Sequence, residues 1–144
     1  RRHGCDHVIL YREEDVAARV REITGGAGVP VAYDSVGAAT FEGTLASLAR
    51  RGLFVSFGNA SGPVPPFAPA RLSQMGSLFL TRPTLFDYVA TTPELDASAQ
   101  ALFDVIASGA VEIEIGQTFP LAEVRRAHEA LEARETIGAS LLIP

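Results

Sequence analysis

The sequence predicts an α/β fold, with parallel strands in a doubly wound sheet covered by helices on both faces. Three observations carry this expectation. Apolar runs alternate with amphipathic helical stretches from the start of the chain, and the connections between them are short. Val8-Ile9-Leu10 and Leu53-Phe54-Val55 are apolar at consecutive positions, as strands buried on both sides require.

His7 to Leu10 is the first expected strand. Glu13-Glu14-Asp15 then opens a helix with acids at its positive end, and Val16, Val20 and Ile23 mark its buried stripe. Val29 to Tyr33 is the second strand, followed by a helix carrying Phe41, Leu45 and Leu48; Gly52 to Phe57 is the third. A Gly/Pro-rich loop runs from Asn59 to about Pro69, then a short helix, then a fourth strand from Ser77 to Leu80. Thr92-Pro93-Glu94 reads as an N-cap, an N1 proline and a first-turn acid. Behind it Leu95, Ala99, Leu102, Phe103 and Ile106 form one face of a helix that Gly109 ends.

The pattern then changes. Val111-Glu112-Ile113-Glu114-Ile115 alternates strictly, which predicts a strand with one wet face. Pro120, a helix with Leu121, Val124, His128 and Leu131, and a last strand from Ser140 to Ile143 follow. The switch near Gly109 predicts a domain crossing: residues 1–110 belong to the parallel sheet, and 111–144 join another body of protein. Arg1-Arg2-His3-Gly4 has the look of a helix's last turn with a glycine stop, so the chain is expected to continue a longer one.

At 144 residues, 47% hydrophobic and 20% charged, the composition is that of an ordinary globular domain. No apolar run approaches the ~18 residues of a membrane span. No apolar stretch follows Arg1-Arg2 as it would in a secretory leader, and the expected location is cytoplasmic. A net charge of −5 without a basic patch disfavours nucleic acid as a partner. All 12 basic residues are Arg. The single cysteine, Cys5, excludes an internal disulfide or a multi-cysteine zinc site within the segment, and it reads as a core thiol.

Ligands of an open parallel sheet bind beyond the carboxyl ends of its strands. That rule selects Tyr11-Arg12, Asp34-Ser35-Val36-Gly37, Phe57-Gly58-Asn59-Ala60-Ser61-Gly62 and Thr81-Arg82-Pro83. Each exit exchanges apolar residues for small, hydroxyl, amide or guanidinium groups, as one long polar ligand would require. Gly25-Gly26-Ala27-Gly28 is a decoy, because it follows a helix and precedes a strand, the reverse of a phosphate cradle. No G-x-G-x-x-G follows any strand, so a pyrophosphate loop would precede Arg1, and the sheet is partial, lacking its first strands.

Other chemistries find little support. There is no G-x-S-x-G elbow, and His3, His7 and His128 have no metal spacing; no metal ligand is expected. Glu112 and Glu114 belong to a solvated face. Asp34 suits a structural role, orienting its loop by accepting backbone hydrogen bonds. Phe67, Phe79 and Phe86 read as core.

Several segments together carry a family resemblance. Tyr11-Arg12-Glu13-Glu14-Asp15, Ile23-Thr24-Gly25-Gly26, Tyr33-Asp34-Ser35-Val36-Gly37, Arg51-Gly52-Leu53-Phe54-Val55-Ser56-Phe57-Gly58-Asn59, Leu80-Thr81-Arg82-Pro83 and the ending Gly138-Ala139-Ser140-Leu141-Leu142-Ile143-Pro144 occur in this order. Over essentially its whole length the chain resembles the zinc-independent quinone oxidoreductases (the zeta-crystallin-like branch) of the medium-chain dehydrogenase/reductase superfamily. The resemblance implies a two-domain, NADPH-dependent enzyme that reduces quinones or related α,β-unsaturated carbonyls, of which this chain is a C-terminal fragment. Residues 1–110 would be the later part of the Rossmann domain and 111–144 the return segment to the catalytic domain.

Carried to matching positions, the resemblance places Tyr11 near the adenosine 2′-phosphate and Ser35 and Val36 along the adenosine side. Phe57, Gly58, Asn59 and Ser61 would follow the nicotinamide half, and Leu80, Thr81 and Arg82 would approach its ring. Arg134 would reach the cofactor from the return segment. It implies a homodimer through the edge strand near Ser77–Leu80. Ala60 departs from the hydroxyl residue common at its position, and no catalytic acid is assigned. Competing readings are an enoyl or alcohol dehydrogenase/reductase of the same superfamily, including a zinc-type relative, and a module without chemistry that binds nucleotide or RNA or serves dimerisation.

Overall fold

The computed structural model describes residues 4–144; Arg1-Arg2-His3, and with them the reading of a helix end, lie outside the described residues. The chain forms two compact units, the first ending at Ala90 and the second running Thr91–Pro144.

The first unit contains α1 (Val16–Ile23), β1 (Val29–Asp34), α2 (Phe41–Ser47), β2 (Leu48–Ser56), α3 (Ala70–Gln74), β3 (Phe79–Thr81) and α4 (Leu85–Tyr88). Its strands lie in the order β1-β2-β3 and both pairings are parallel, as the alternating pattern predicts. Rows Val31–Leu53–Phe79 and Tyr33–Val55–Thr81 share one face, and the row Ala32–Phe54–Leu80 faces the other way. On that second face α2 sets Phe41 and Leu45 against Phe54, with Leu48 and Leu78 completing the buried cluster. The Phe41 ring lies 5.7 Å from Phe54 and 5.2 Å from Phe67, a tilted stack that fills the space under the loop. Arg71 of α3 forks onto the Glu42 carboxylate of α2 and sits over the Phe41 ring.

Local chemistry explains the ends of α1. The Asp15 carboxylate accepts from the Ala18 amide at 3.0 Å, a side-chain N-cap. At the other end the Gly26 amide donates to Arg21 O and the Gly25 amide to Glu22 O, so the glycine run is the helix stop that its sequence position implies.

The structure corrects several expectations. Residues 7–10 form no strand: the Leu10 carbonyl accepts from the Glu13 and Glu14 amides, and the Leu10 amide donates to the Glu14 carboxylate. A local turn thus occupies backbone groups that a ladder would need, and Val8 and Leu10 are exposed rather than buried on both sides. Leu48 begins β2 rather than ending the helix, and β3 starts two residues later than Ser77. Phe79 and Phe86 are 57% and 81% exposed: Phe79 lies on the sheet face opposite α2, and Phe86 on the four-residue α4. Cys5 is exposed, its thiol donating to His7 O at 2.9 Å, and is no core thiol.

The second unit contains α5 (Thr92–Ala107), β4 (Ile115–Pro120), a single 3₁₀ turn (Leu121–Glu123), α6 (Val124–Glu132) and β5 (Ala139–Ile143). β4 and β5 pair in parallel, and α6 crosses between them with Ala127 buried. The N-cap of α5 is Thr91, one residue before the expected Thr92. Its hydroxyl accepts from the Glu94 amide while the Glu94 carboxylate accepts from the Thr91 amide, a reciprocal capping box. The alternating run 111–115 is not a strand before Ile115. The β5 partner begins only at Ala139, whose amide donates to Glu114 O, and among the described residues no strand pairs with 111–114.

Candidate cofactor-binding site

Parallel register brings the strand ends of the first unit to one level. Asp34 pairs with Ser56 and Val55 with Thr81, so the chain leaves the sheet at 34–37, 57–62 and 82–83 along a single rim. Backbone hydrogen bonds then join the first two exits. Phe57 N donates to Asp34 O, Ala60 N to Ser35 O and Ser61 N to Val36 O, while Ala38 N returns to Gly62 O. The Ser61 hydroxyl adds two more links, donating to Val36 O at 2.7 Å and accepting from Ala39 N at 2.9 Å.

Asp34 anchors this pair of loops. The residue is buried, 5% exposed. Oδ1 accepts from the amides of Val36 (2.8 Å) and Gly37 (3.0 Å), and Oδ2 from the hydroxyls of Thr40 (2.7 Å) and Thr44 (2.8 Å). Burial alone would push this carboxyl up; the donors from Gly37, Thr40, Thr44 and Val36 together outweigh it and hold Asp34 below its ordinary value. The structural role expected for Asp34 is therefore present. Thr40 and Thr44 were not anticipated, although their spacing of four puts both hydroxyls on one side of the helix start.

A carboxyl held low in the folded state stabilises fully above its unfolded pKa, and that contribution disappears as pH falls through the lower folded value. The expected result is a melting temperature that drops below about pH 4, with the gap between wild type and Asp34→Asn closing over the same window. Thermal melts across the acid range check this, and a constant gap would contradict it.

The predicted residues of the first unit distribute over three clefts; the first and third share Tyr33, and the second, on the opposite sheet face from the third, shares no lining residue with either. Tyr11, Ser35 and Val36 line one of about 360 Å³, together with Asp34, Thr40 and Thr44. Asn59, Leu80 and Arg82 line a second of about 390 Å³, walled by the proline-rich loop at 63–67. Phe57 and Thr81 line a third of about 590 Å³ with Tyr33, Leu53, Val55 and Tyr88. Tyr33 borders the first and third clefts and was not singled out in sequence; its position one residue before the Asp34 end of β1 was the available signal.

Gly58 lies beneath Ser35, where a Cβ would collide with the Ser35 backbone. Ser61 spends its hydroxyl on the loop pairing. Arg82 is exposed, and its guanidinium donates to Pro83 O at 3.1 Å. Arg134 belongs to the second unit, on the turn after α6 with φ of 61°. Among the described residues no group of three or more His, Cys, Asp or Glu is placed to hold a metal ion, and no helix is long and apolar enough to cross a membrane.

A parallel α/β sheet with a polar rim of this kind defines a Rossmann-like nucleotide-binding domain. The chain belongs to the zinc-binding dehydrogenase family, whose family model matches residues 3–141, within the medium-chain dehydrogenase/reductase superfamily. It is 52% identical over 143 residues to a quinone oxidoreductase of Salmonella typhimurium, covering 98% of this chain and 44% of that protein. It is 42% identical over 145 residues to a 2-haloacrylate reductase of a Burkholderia species, covering 100% of this chain and 44% of the relative. Its structure matches the Escherichia coli quinone oxidoreductase complexed with NADPH at a TM-score of 0.91 and 51% identity, over 98% of this chain and 44% of that one. The resemblance to quinone oxidoreductases is borne out, and the chain spans less than half the length of these relatives.

Proposed function

We propose that this chain is part of an NADPH-dependent quinone oxidoreductase that transfers hydride to a quinone or a similar α,β-unsaturated carbonyl. The observation that carries the reading is the common rim, where the strand exits at 34–37, 57–62 and 82–83 lie at one level of a parallel sheet. Similarity to the Escherichia coli enzyme complexed with NADPH, at 51% identity, supports the choice of cofactor. The residues present fit such a ligand, because Ser35, Asn59 and Arg82 are exposed on that rim beside open clefts.

When bound, NADPH supplies a hydride, and a proton from solvent completes reduction of the acceptor. The chain's own part is to bind and orient. Tyr11, Ser35 and Val36 hold the adenosine side; Phe57, Gly58, Asn59 and Ser61 border the nicotinamide half; and Leu80, Thr81 and Arg82 approach the ring. Residues 1–110 form the later part of the cofactor-binding domain and 111–144 return to the catalytic domain. The enzyme works without zinc in the cytoplasm, as a homodimer built through the edge strand near Ser77–Leu80; among the described residues β3 is an edge strand of the β1-β2-β3 sheet.

The similarity to a 2-haloacrylate reductase favours a second reading, reduction of an activated alkene acid on the same rim. Steady-state assays of the full-length protein with quinones and with 2-haloacrylates decide between the two. For the 144 residues alone, little or no turnover and weak NADPH binding are expected, because pyrophosphate anchoring on a glycine loop and helix start supplies much of the usual grip. Fluorescence titration is the check: the full-length protein should saturate at micromolar NADPH, and equal affinity in the segment would overturn the expectation.

A further inference from the structure

We propose that Asp34 is a positioning residue for the cofactor, setting both rim loops at once through the hydrogen bonds of its buried carboxylate. The inference rests on the nucleotide-binding reading above and adds an internal mechanism to it. The Asp34 carboxylate is buried and every donor it meets lies in its own loop or at the start of α2: the amides of Val36 and Gly37 and the hydroxyls of Thr40 and Thr44. It therefore ties the turn after β1 to α2, whose Phe41 and Leu45 are packed in the core. That turn carries Ser35 and Val36.

The second loop hangs on the first. Phe57 N, Ala60 N and Ser61 N donate to the carbonyls of Asp34, Ser35 and Val36. The Gly58 backbone is close enough to Ser35 that a Cβ there would stand 2.8 Å from the Ser35 Cα. Because Gly58 and Ser35 are in backbone contact, a shift of the 35–37 turn displaces 57–62 with it. A carboxylate on the adenosine side thus governs the geometry of the nicotinamide side.

Asn is the conservative replacement. Its amide oxygen keeps the Val36 and Gly37 bonds, and its NH₂ donates to Thr40 and Thr44 hydroxyls turned to accept. Ala leaves all of these donors without their partner.

The test compares full-length wild type with Asp34→Ala, Asp34→Asn and the double variant Thr40→Val/Thr44→Val. NADPH fluorescence reads the nicotinamide half, and competition by 2′,5′-ADP reads the adenosine half. Asp34→Ala should weaken both about tenfold or more, Asp34→Asn should restore most of the affinity, and the double variant should fall between. A purely structural role would lower the folded fraction and leave the dissociation constants of the folded enzyme, and its KM for NADPH, unchanged; that result overturns the inference. Weakening confined to 2′,5′-ADP also overturns it, because the loops would not be coupled. Should Asp34→Ala fail to fold, the double variant decides by the same two readouts. A wild-type protein that binds no NADPH would sink the cofactor reading itself, a different result from any of these.

Discussion

Phe54→Ala is expected to destabilise the first unit by about 3–5 kcal/mol. Phe54 lies on the central strand, has no exposed surface, and is among the largest fully buried side chains with Phe41 and Leu45. Its ring meets Phe41 at a centroid distance of 5.7 Å, and Phe41 in turn carries Phe67. Strand β2 is hydrogen-bonded on both edges, so the backbone is held against collapse into the vacated volume, and a poorly relaxed cavity is the costlier kind. Urea denaturation of the full-length protein should show a lower midpoint with little change in slope. Phe86→Ala is the control, since that ring is 81% exposed and should matter by less than about 0.5 kcal/mol. A Phe54→Ala loss no larger than the control's would show that this cluster is not the unit's core.

The contrast between these two phenylalanines shows what sequence conveys. Alternation of apolar runs with helical stretches identified β1, β2, β3 and their parallel arrangement, although only β2 is buried along most of its length and Tyr33 of β1 and Phe79 of β3 stay exposed. It did not say which face each aromatic would take: Phe67 fills the space over Phe41, while Phe79 lies on the opposite side of the sheet and stays open. Strand formation at 7–10 and 111–114 failed for a related reason. A strand needs a partner backbone, and a periodic pattern does not disclose whether one is there; at 111–114 the partner begins only at Ala139. The rim followed from a topological rule, so the strand exits that carry Ser35, Asn59 and Arg82 could be located without a structure. The bonding between loops was hidden, because it depends on the β1–β2 register, whereas the Thr40 and Thr44 spacing could have been read beside Asp34.

Gly58→Ala should damage the rim by driving its two loops apart. The added methyl would collide with the Ser35 carbonyl oxygen and stand 2.8 Å from its Cα and 2.9 Å from its carbonyl carbon. Those are backbone atoms with no rotamer to yield, so the loops must separate and strain the bonds from Ala60 and Ser61 to Ser35 and Val36. Overpacking of this kind costs about 1–3 kcal/mol. Gly37 leaves little slack on the other side, since its φ of +89° already requires glycine and its own missing Cβ faces the Gly62 carbonyl. Gly43→Ala is the matched comparison: it lies inside α2 with Val16 Cβ at 3.7 Å as nearest neighbour, and should be neutral or stabilising by up to ~1 kcal/mol. Melting curves of the two full-length variants should therefore diverge, and the NADPH titration of Gly58→Ala should show weakened binding. If Gly58→Ala kept both the wild-type melting temperature and the wild-type affinity, the close seating of 57–62 on 35–37 would not be what shapes the groove.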